Sequence, residues 1–141
     1  ALFFIKDFGC PTNAIITPHP GEAAMLLDCS VKDIQKNRLE AAKELFRQYN
    51  CLVILKGYET IVFDGEAFKC TDGGPALSSA GTGDVLAGLV GSFLAQGLER
   101  RDAARFSVAI HGAAGDRFSQ NKKIRGLTAT KLIRIITQEM M

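Results

Sequence analysis

No charge of one sign dominates this sequence: Lys and Arg number 17 against 15 Asp and Glu, a formal net charge of +2. That balance excludes the polybasic footprint of a nucleic-acid-binding chain and predicts no large polyanionic partner. The four cysteines, Cys10, Cys29, Cys51 and Cys70, are widely spaced and form no C-x-x-C. They are read as free thiols in a reducing, cytoplasmic compartment rather than as a zinc site or a disulfide frame. No run approaches the roughly 20 apolar residues that span a bilayer; even Val85 to Ala95 is interrupted by Gly88, Gly91 and Ser92. A signal-peptide pattern, internal repeats, low-complexity stretches and linkers are also missing.

What is present is a chain of 141 residues, 47% of them hydrophobic, enough to bury the core of one domain or part of one. Ala1-Leu2-Phe3-Phe4-Ile5 is apolar from the outset, without a polar lead or an initiating Met, and is expected to be a cut edge. Asn13 to Thr17 reads as a buried strand ending at the breaker Pro18-His19-Pro20-Gly21. Pro20 suits a first helical turn and Glu22 complements its N–H groups, so a short helix is expected over Glu22 to Leu27.

Ser30, with Asp33 three residues on, resembles a capping box. From there Ile34, Ala41, Ala42, Leu45, Phe46 and Tyr49 follow helical spacing, with Lys36, Arg38, Glu40, Lys43, Glu44 and Arg47 on the other faces. This predicts one amphipathic helix covering a sheet. Leu52-Val53-Ile54-Leu55 is a continuous apolar strand. Thr60 to Phe63 and Ala67 to Cys70 flank Asp64-Gly65 and predict a β-hairpin. Asp84 to Gln96 has no charge after Asp84 and is expected to be a buried helix capped by Gly97. Helices are further expected over Asp102 to Phe118 and Thr128 to Met140. The order predicts an α/β layered sandwich.

The chemistry concentrates at Ala80-Gly81-Thr82-Gly83-Asp84, where a small-residue segment turns into a helix. Glycines let backbone N–H groups approach an anion, and the helix start adds about half a positive charge. A carboxylate in the same turn would repel a phosphate, so its presence needs a reason. One reason is general-base action on a substrate hydroxyl during phosphoryl transfer; the other is that Asp84 merely caps the helix. The pattern is neither a Walker A loop nor G-x-G-x-x-G.

Gly81-Thr82-Gly83-Asp84-Val85-Leu86-Ala87-Gly88 resembles the anion-hole signature of the ribokinase-like superfamily. Within it, Thr17-Pro18-His19-Pro20-Gly21-Glu22 and Lys56-Gly57-Tyr58-Glu59-Thr60 resemble the ADP- or ATP-dependent NAD(P)H-hydrate dehydratases. The resemblance extends through His111-Gly112-Ala113-Ala114-Gly115-Asp116. It implies the C-terminal part of a single ribokinase-like three-layer αβα sandwich, incomplete here because the family's first half, which ends in an acidic Asp-Ala-Asp-Ala-Leu segment, precedes the position of Ala1. Gly74-Pro75 stands where similar enzymes usually have Asn-Pro, which would weaken substrate contacts. Ala80 stands where they often have Gly, a mild change if its φ is negative.

The resemblance implies dehydration of hydrated NADH or NADPH, driven by phosphorylation of the ring hydroxyl from ADP or ATP with Mg2+. Asp84 would take the hydroxyl proton, and the backbone N–H groups of Gly81, Thr82 and Gly83 would hold the transferring phosphoryl group. His19 would contact the hydrated cofactor, unless it is a solvated turn histidine. Lys56, Gly57, Tyr58, Glu59 and Thr60, with Gly83, would line the nucleotide, although Lys56 to Thr60 alone could be a solvated turn. Glu22 either charges a helix N-terminus or organises metal and water. His111 reads as a packing histidine. A homo-oligomer and a fused upstream epimerase domain are expected from similar proteins. A ribokinase-like kinase for a vitamin-precursor alcohol would share the loop but not the Pro-His-Pro-Gly-Glu turn, and a non-catalytic nucleotide-binding module is the rival from another class.

Overall fold

The computed structural model describes residues 2–120 and 126–141. Chain contacts divide it into two units, Ala1–Lys69 and Cys70–Met141. Ala1, on which the expected cut edge partly rests, lies outside the described residues.

The first unit is mixed α/β. Helix α1 (Leu2–Phe8) occupies a segment where no element is expected from the sequence. Its Lys6 pairs with Asp28 and donates to the Met25 carbonyl at 3.0 Å, which ties it down. Strand β1 is only Ile15–Ile16, shorter than the predicted Asn13 to Thr17, because Asn13 sits at φ +67°, outside the extended region. Helix α2 (Pro20–Leu26) begins two residues earlier than expected. The predicted long helix after Ser30 is two helices, α3 (Val31–Lys36) and α4 (Arg38–Tyr49). The break falls at Asn37, whose side chain accepts the Glu40 N–H and starts a new helix. Short polar side chains compete with the helical ladder in this way.

Strands β2 (Leu52–Leu55), β3 (Ile61–Phe63) and β4 (Ala67–Lys69) complete a sheet of order β1-β2-β3-β4. The first pair is parallel, with Ile15 beside Leu52, and the other two are antiparallel. All four residues of β2 are buried, as its unbroken apolar run predicts. The hairpin is present with Phe63 opposite Ala67, so its loop is Asp64-Gly65-Glu66. The core gathers Leu26, Ile34, Leu45, Val53 and Leu55. Phe46 meets Phe63 edge-on at 5.3 Å, and the Tyr49 hydroxyl donates to the Leu26 carbonyl at 2.9 Å. Cys51 is buried beside Cys10, and that burial pushes its thiol up to about 12. All four cysteines are free thiols.

The second unit is helical: a 3₁₀ turn (Pro75–Ser78), then α5 (Thr82–Ala95), α6 (Arg100–Gln120) and α7 (Ala129–Met140). The last three pack on one another around Ala114, Phe118, Leu127, Leu132 and Ile136. Helix α5 ends as predicted: Gly97 takes φ +90°, its N–H donates to the Leu94 carbonyl at 3.0 Å, and the Leu98 N–H reaches Phe93 at 3.1 Å, a Schellman motif. The expected burial of α5 does not hold. Thr82, Leu86 and Val90 form a buried stripe, while Ala87, Gly88, Gly91 and Ser92 are exposed. Lack of charge shows that a helix face tolerates burial, not that something covers it.

Candidate functional site

In the first unit the Pro-His-Pro-Gly-Glu turn and the segment after β2 come together. The Lys56 N–H donates to the Pro18 carbonyl at 2.9 Å, continuing the parallel pairing beyond the strands. Lys56 Nζ lies 3.9 Å from Glu22 Oε2, with both side chains partly exposed.

His19 is the N-cap of α2. Its Nδ1 accepts the N–H groups of Gly21 at 3.0 Å and Glu22 at 3.2 Å, and Glu22 Oε2 accepts the His19 N–H at 2.7 Å. This reciprocal capping box shows Glu22 serving the helix start. It also fixes the imidazole tautomer: Nδ1 is an acceptor, so in neutral His19 the proton sits on Nε2. The side chain is 58% exposed, which leaves that nitrogen turned outward, 3.6 Å from Glu22 Oε2. His19 is therefore not a core residue: the cap holds its ring in place and leaves one edge exposed.

The Lys56 to Thr60 segment has a built conformation. Gly57 has φ +138° and Glu59 φ +54°, the Thr60 hydroxyl donates to the Gly57 carbonyl at 3.1 Å, and the Glu59 carboxylate pairs with Lys69. Tyr58 is 79% exposed. Beneath lies Arg38, which the helical pattern puts among solvent-facing charges. Its Nη2 donates to the carbonyls of Leu55 at 3.1 Å and Lys56 at 3.2 Å, and burial pulls its pKa down against the raising effect of Glu59. A Cβ on Gly57 would stand 2.9 Å from the mobile end of Arg38, at Nη1, so it is the positive φ that favours glycine there. Arg38 carries no motif, and only the fold reveals it.

In the second unit Gly81 is the N-cap of α5 at φ +83°, a left-handed conformation that costs an L-residue roughly 1–2 kcal/mol. Ala80 is not among the non-glycine residues of positive φ, so alanine fits where similar enzymes often have glycine. Thr82 is buried, and its hydroxyl hydrogen is shared between the carbonyls of Leu77 at 2.6 Å and Ser79 at 2.8 Å. Its side chain is turned inward and braces the loop. The Thr82 N–H is directed to the Ser79 carbonyl at 3.4 Å, and the first N–H bonded within the helix is that of Val85, to Gly81 at 3.2 Å. The N–H groups of Gly83 and Asp84 thus fall among the first-turn donors without an intrahelical acceptor. Asp84 is exposed and, among the described residues, its carboxylate makes no hydrogen bond or ion pair. It does not cap the helix.

Two residues of α6 support this region. His111 Nε2 lies 2.8 Å from the Thr82 carbonyl, and the residue is buried. Asp116 accepts the N–H groups of Gly73 at 3.0 Å and Gly74 at 3.1 Å. Nothing in the backbone demands glycine at position 74, where φ is −85° and a Cβ would meet Asp116 Oδ1 at an ordinary 3.7 Å.

A strand-end turn lies in the first unit, and in the second a glycine loop opens a helix whose aspartate has no partner among the described residues; the fold that carries them is ribokinase-like. The fold is similar to a ribokinase-like superfamily protein from Enterococcus faecalis (TM-score 0.81, 24% identity, 97% of this chain and 49% of that one). It is also similar to the ADP/ATP-dependent NAD(P)H-hydrate dehydratase from Bacillus subtilis co-crystallised with ATP and Mg2+ (TM-score 0.87, 31% identity, 92% of this chain and 49% of that one). The family model for NAD(P)H-hydrate dehydratase matches residues 2–138, and the chain belongs to that family.

Among sequence relatives it is 42% identical over 135 residues to the bifunctional NAD(P)H-hydrate repair enzyme Nnr of Vibrio cholerae, covering 94% of this chain and 27% of the relative. It is 40% identical over 127 residues to the ADP-dependent (S)-NAD(P)H-hydrate dehydratase of Neisseria meningitidis serogroup B, covering 88% of this chain and 43% of the relative. The chain therefore spans less than half the length of these relatives and about half of the solved structures.

Proposed function

We propose that this chain carries the phosphoryl-transfer chemistry of an ADP- or ATP-dependent dehydration of hydrated NADH and NADPH. The observation that carries the reading is Asp84: an exposed carboxylate without a partner among the described residues, three positions into a helix whose start, at left-handed Gly81, carries no side-chain cap. Such a group can accept a proton from a substrate hydroxyl while the neighbouring N–H groups stabilise the charge on the group being transferred. Once the ring hydroxyl is phosphorylated, its C–O bond breaks, phosphate departs and the adjacent ring carbon gives up a proton, which restores the double bond of the dihydronicotinamide.

The remaining roles follow from the first unit. His19 presents its Nε2 edge to the hydrated cofactor. Lys56 and the shaped Gly57 to Thr60 segment hold the nucleotide, with Lys56 near phosphate. These residues fit an adenine nucleotide, because a left-handed glycine and a lysine at a strand end give the backbone close access and a cation for phosphate. They fit Mg2+ only with the nucleotide present. No cluster of three or more metal-ligating side chains occurs among the described residues, and Mg2+ is commonly held by one or two carboxylates together with substrate phosphates. The four free thiols support a cytoplasmic setting.

The test is turnover of hydrated NADH by the natural full-length protein, which should require ADP or ATP. Consumption without either nucleotide rules the reading out. A nucleotide-free melting temperature that neither ADP nor ATP shifts would show that the 141-residue chain by itself is not a competent nucleotide site.

A further inference from the structure

The His111 imidazole is buried, and its Nε2 meets the Thr82 carbonyl at 2.8 Å. A carbonyl oxygen can only accept, so Nε2 carries the proton and donates. The acceptor matters because of what shares its peptide group: the Thr82 carbonyl and the Gly83 N–H are two ends of one amide. Donation into the carbonyl draws electron density toward oxygen and leaves the N–H a better donor, since linked hydrogen bonds strengthen one another in a low-dielectric surrounding. The same bond, together with the Thr82 hydroxyl shared between Leu77 and Ser79, fixes the plane of that amide and hence the direction of the Gly83 N–H.

We infer that His111 is a positioning residue for phosphoryl transfer, acting through the Thr82–Gly83 peptide to aim and polarise the Gly83 N–H at the transferring group. This goes beyond a packing role and rests on the reading of Gly81 to Asp84 given above. A packing histidine would be replaceable by any side chain of similar volume. A polarising donor must be replaced by another donor.

The experiment compares His111→Leu and His111→Gln in the natural full-length protein, measuring kcat and KM for ADP and for ATP together with melting temperature. His111→Leu keeps bulk and removes the donor; it should lower kcat about tenfold or more while nucleotide KM changes less than about twofold. His111→Gln, which can still donate, should recover most of kcat. A Leu variant with wild-type kcat, a loss that appears in nucleotide KM instead, or Gln and Leu variants equally slow at equal melting temperature overturns the inference. Should His111→Leu not fold, His111→Gln decides alone: kcat within about threefold of wild type supports the role, and a tenfold loss overturns it. Wild-type turnover that ignores nucleotide would overturn the underlying function instead, so the two failures are distinguishable.

Discussion

Helices α2 and α5 begin in parallel ways and end up chemically opposite. Each has a carboxylate at its third residue, Glu22 in one and Asp84 in the other. At α2 the carboxylate is consumed: it accepts the His19 N–H at 2.7 Å, and His19 Nδ1 takes two N–H groups in return. At α5 the N-cap is a glycine with no side chain to offer, and Asp84 has no partner among the described residues. A closed helix start contributes stability, whereas an open one leaves first-turn donors and a carboxylate without partners among the described residues. The carboxylate position alone does not tell them apart; the residue at the N-cap does.

The sharpest way to break this contrast is to remove both carboxylate charges in turn. Asp84→Asn should lower turnover by about 10³-fold with nucleotide binding largely retained, in line with loss of a general base. Glu22→Gln, whose amide oxygen can still accept the His19 N–H, should cost no more than about 1 kcal/mol, the loss of a negative charge at a helix start, and keep turnover within about tenfold. Steady-state kinetics with ADP titration reads both, and equal inactivation by the two changes would erase the distinction.

Next in size is Gly81→Ala. The left-handed φ and a new Cβ at 3.3 Å from the Ala129 Cβ should destabilise by about 1–2 kcal/mol and lower the melting temperature by several degrees. Calorimetry showing no change would mean the loop is not held as described.

Substitutions at His19 sharpen the other side. His19→Ala should lose about 1 kcal/mol with the cap, while His19→Asn, a good N-cap, should hold stability within about 0.5 kcal/mol. Both should raise KM for the hydrated cofactor. If only the alanine variant raises it, His19 acts as a cap and nothing more. The smallest effect is expected of Gly74→Asn: thermal unfolding within about 0.5 kcal/mol of wild type, because the site accepts a Cβ.

Local signals were legible wherever one residue type decides the geometry. The Asp64-Gly65 turn, the glycine ending α5, the Ser30 box and the uninterrupted β2 all form where the pattern puts them. The break at Asn37 was not legible, because the apolar stripe runs through it unchanged and only the side-chain bond to the Glu40 N–H interrupts the helix. The glycine loop stood out by its own residues and the two turn motifs only by family resemblance, and the structure joins His19, Glu22 and Lys56 within one unit. Arg38 and Asp116 were hidden for a different reason. Each serves backbone groups distant in sequence, and a charged residue on an amphipathic helix looks the same whether it faces water or a carbonyl.

The Thr82 hydroxyl, bonded to the carbonyls of Leu77 and Ser79 rather than to anything outside the chain, bears on the timing of order. Its loop loses its freedom when the protein folds, not when a ligand arrives, so association is spared that entropy and affinity rises without one added contact. If the loop binds phosphate as proposed, Thr82→Val would return the loss to the binding step and weaken that binding, although the Thr82 hydroxyl is spent within the chain.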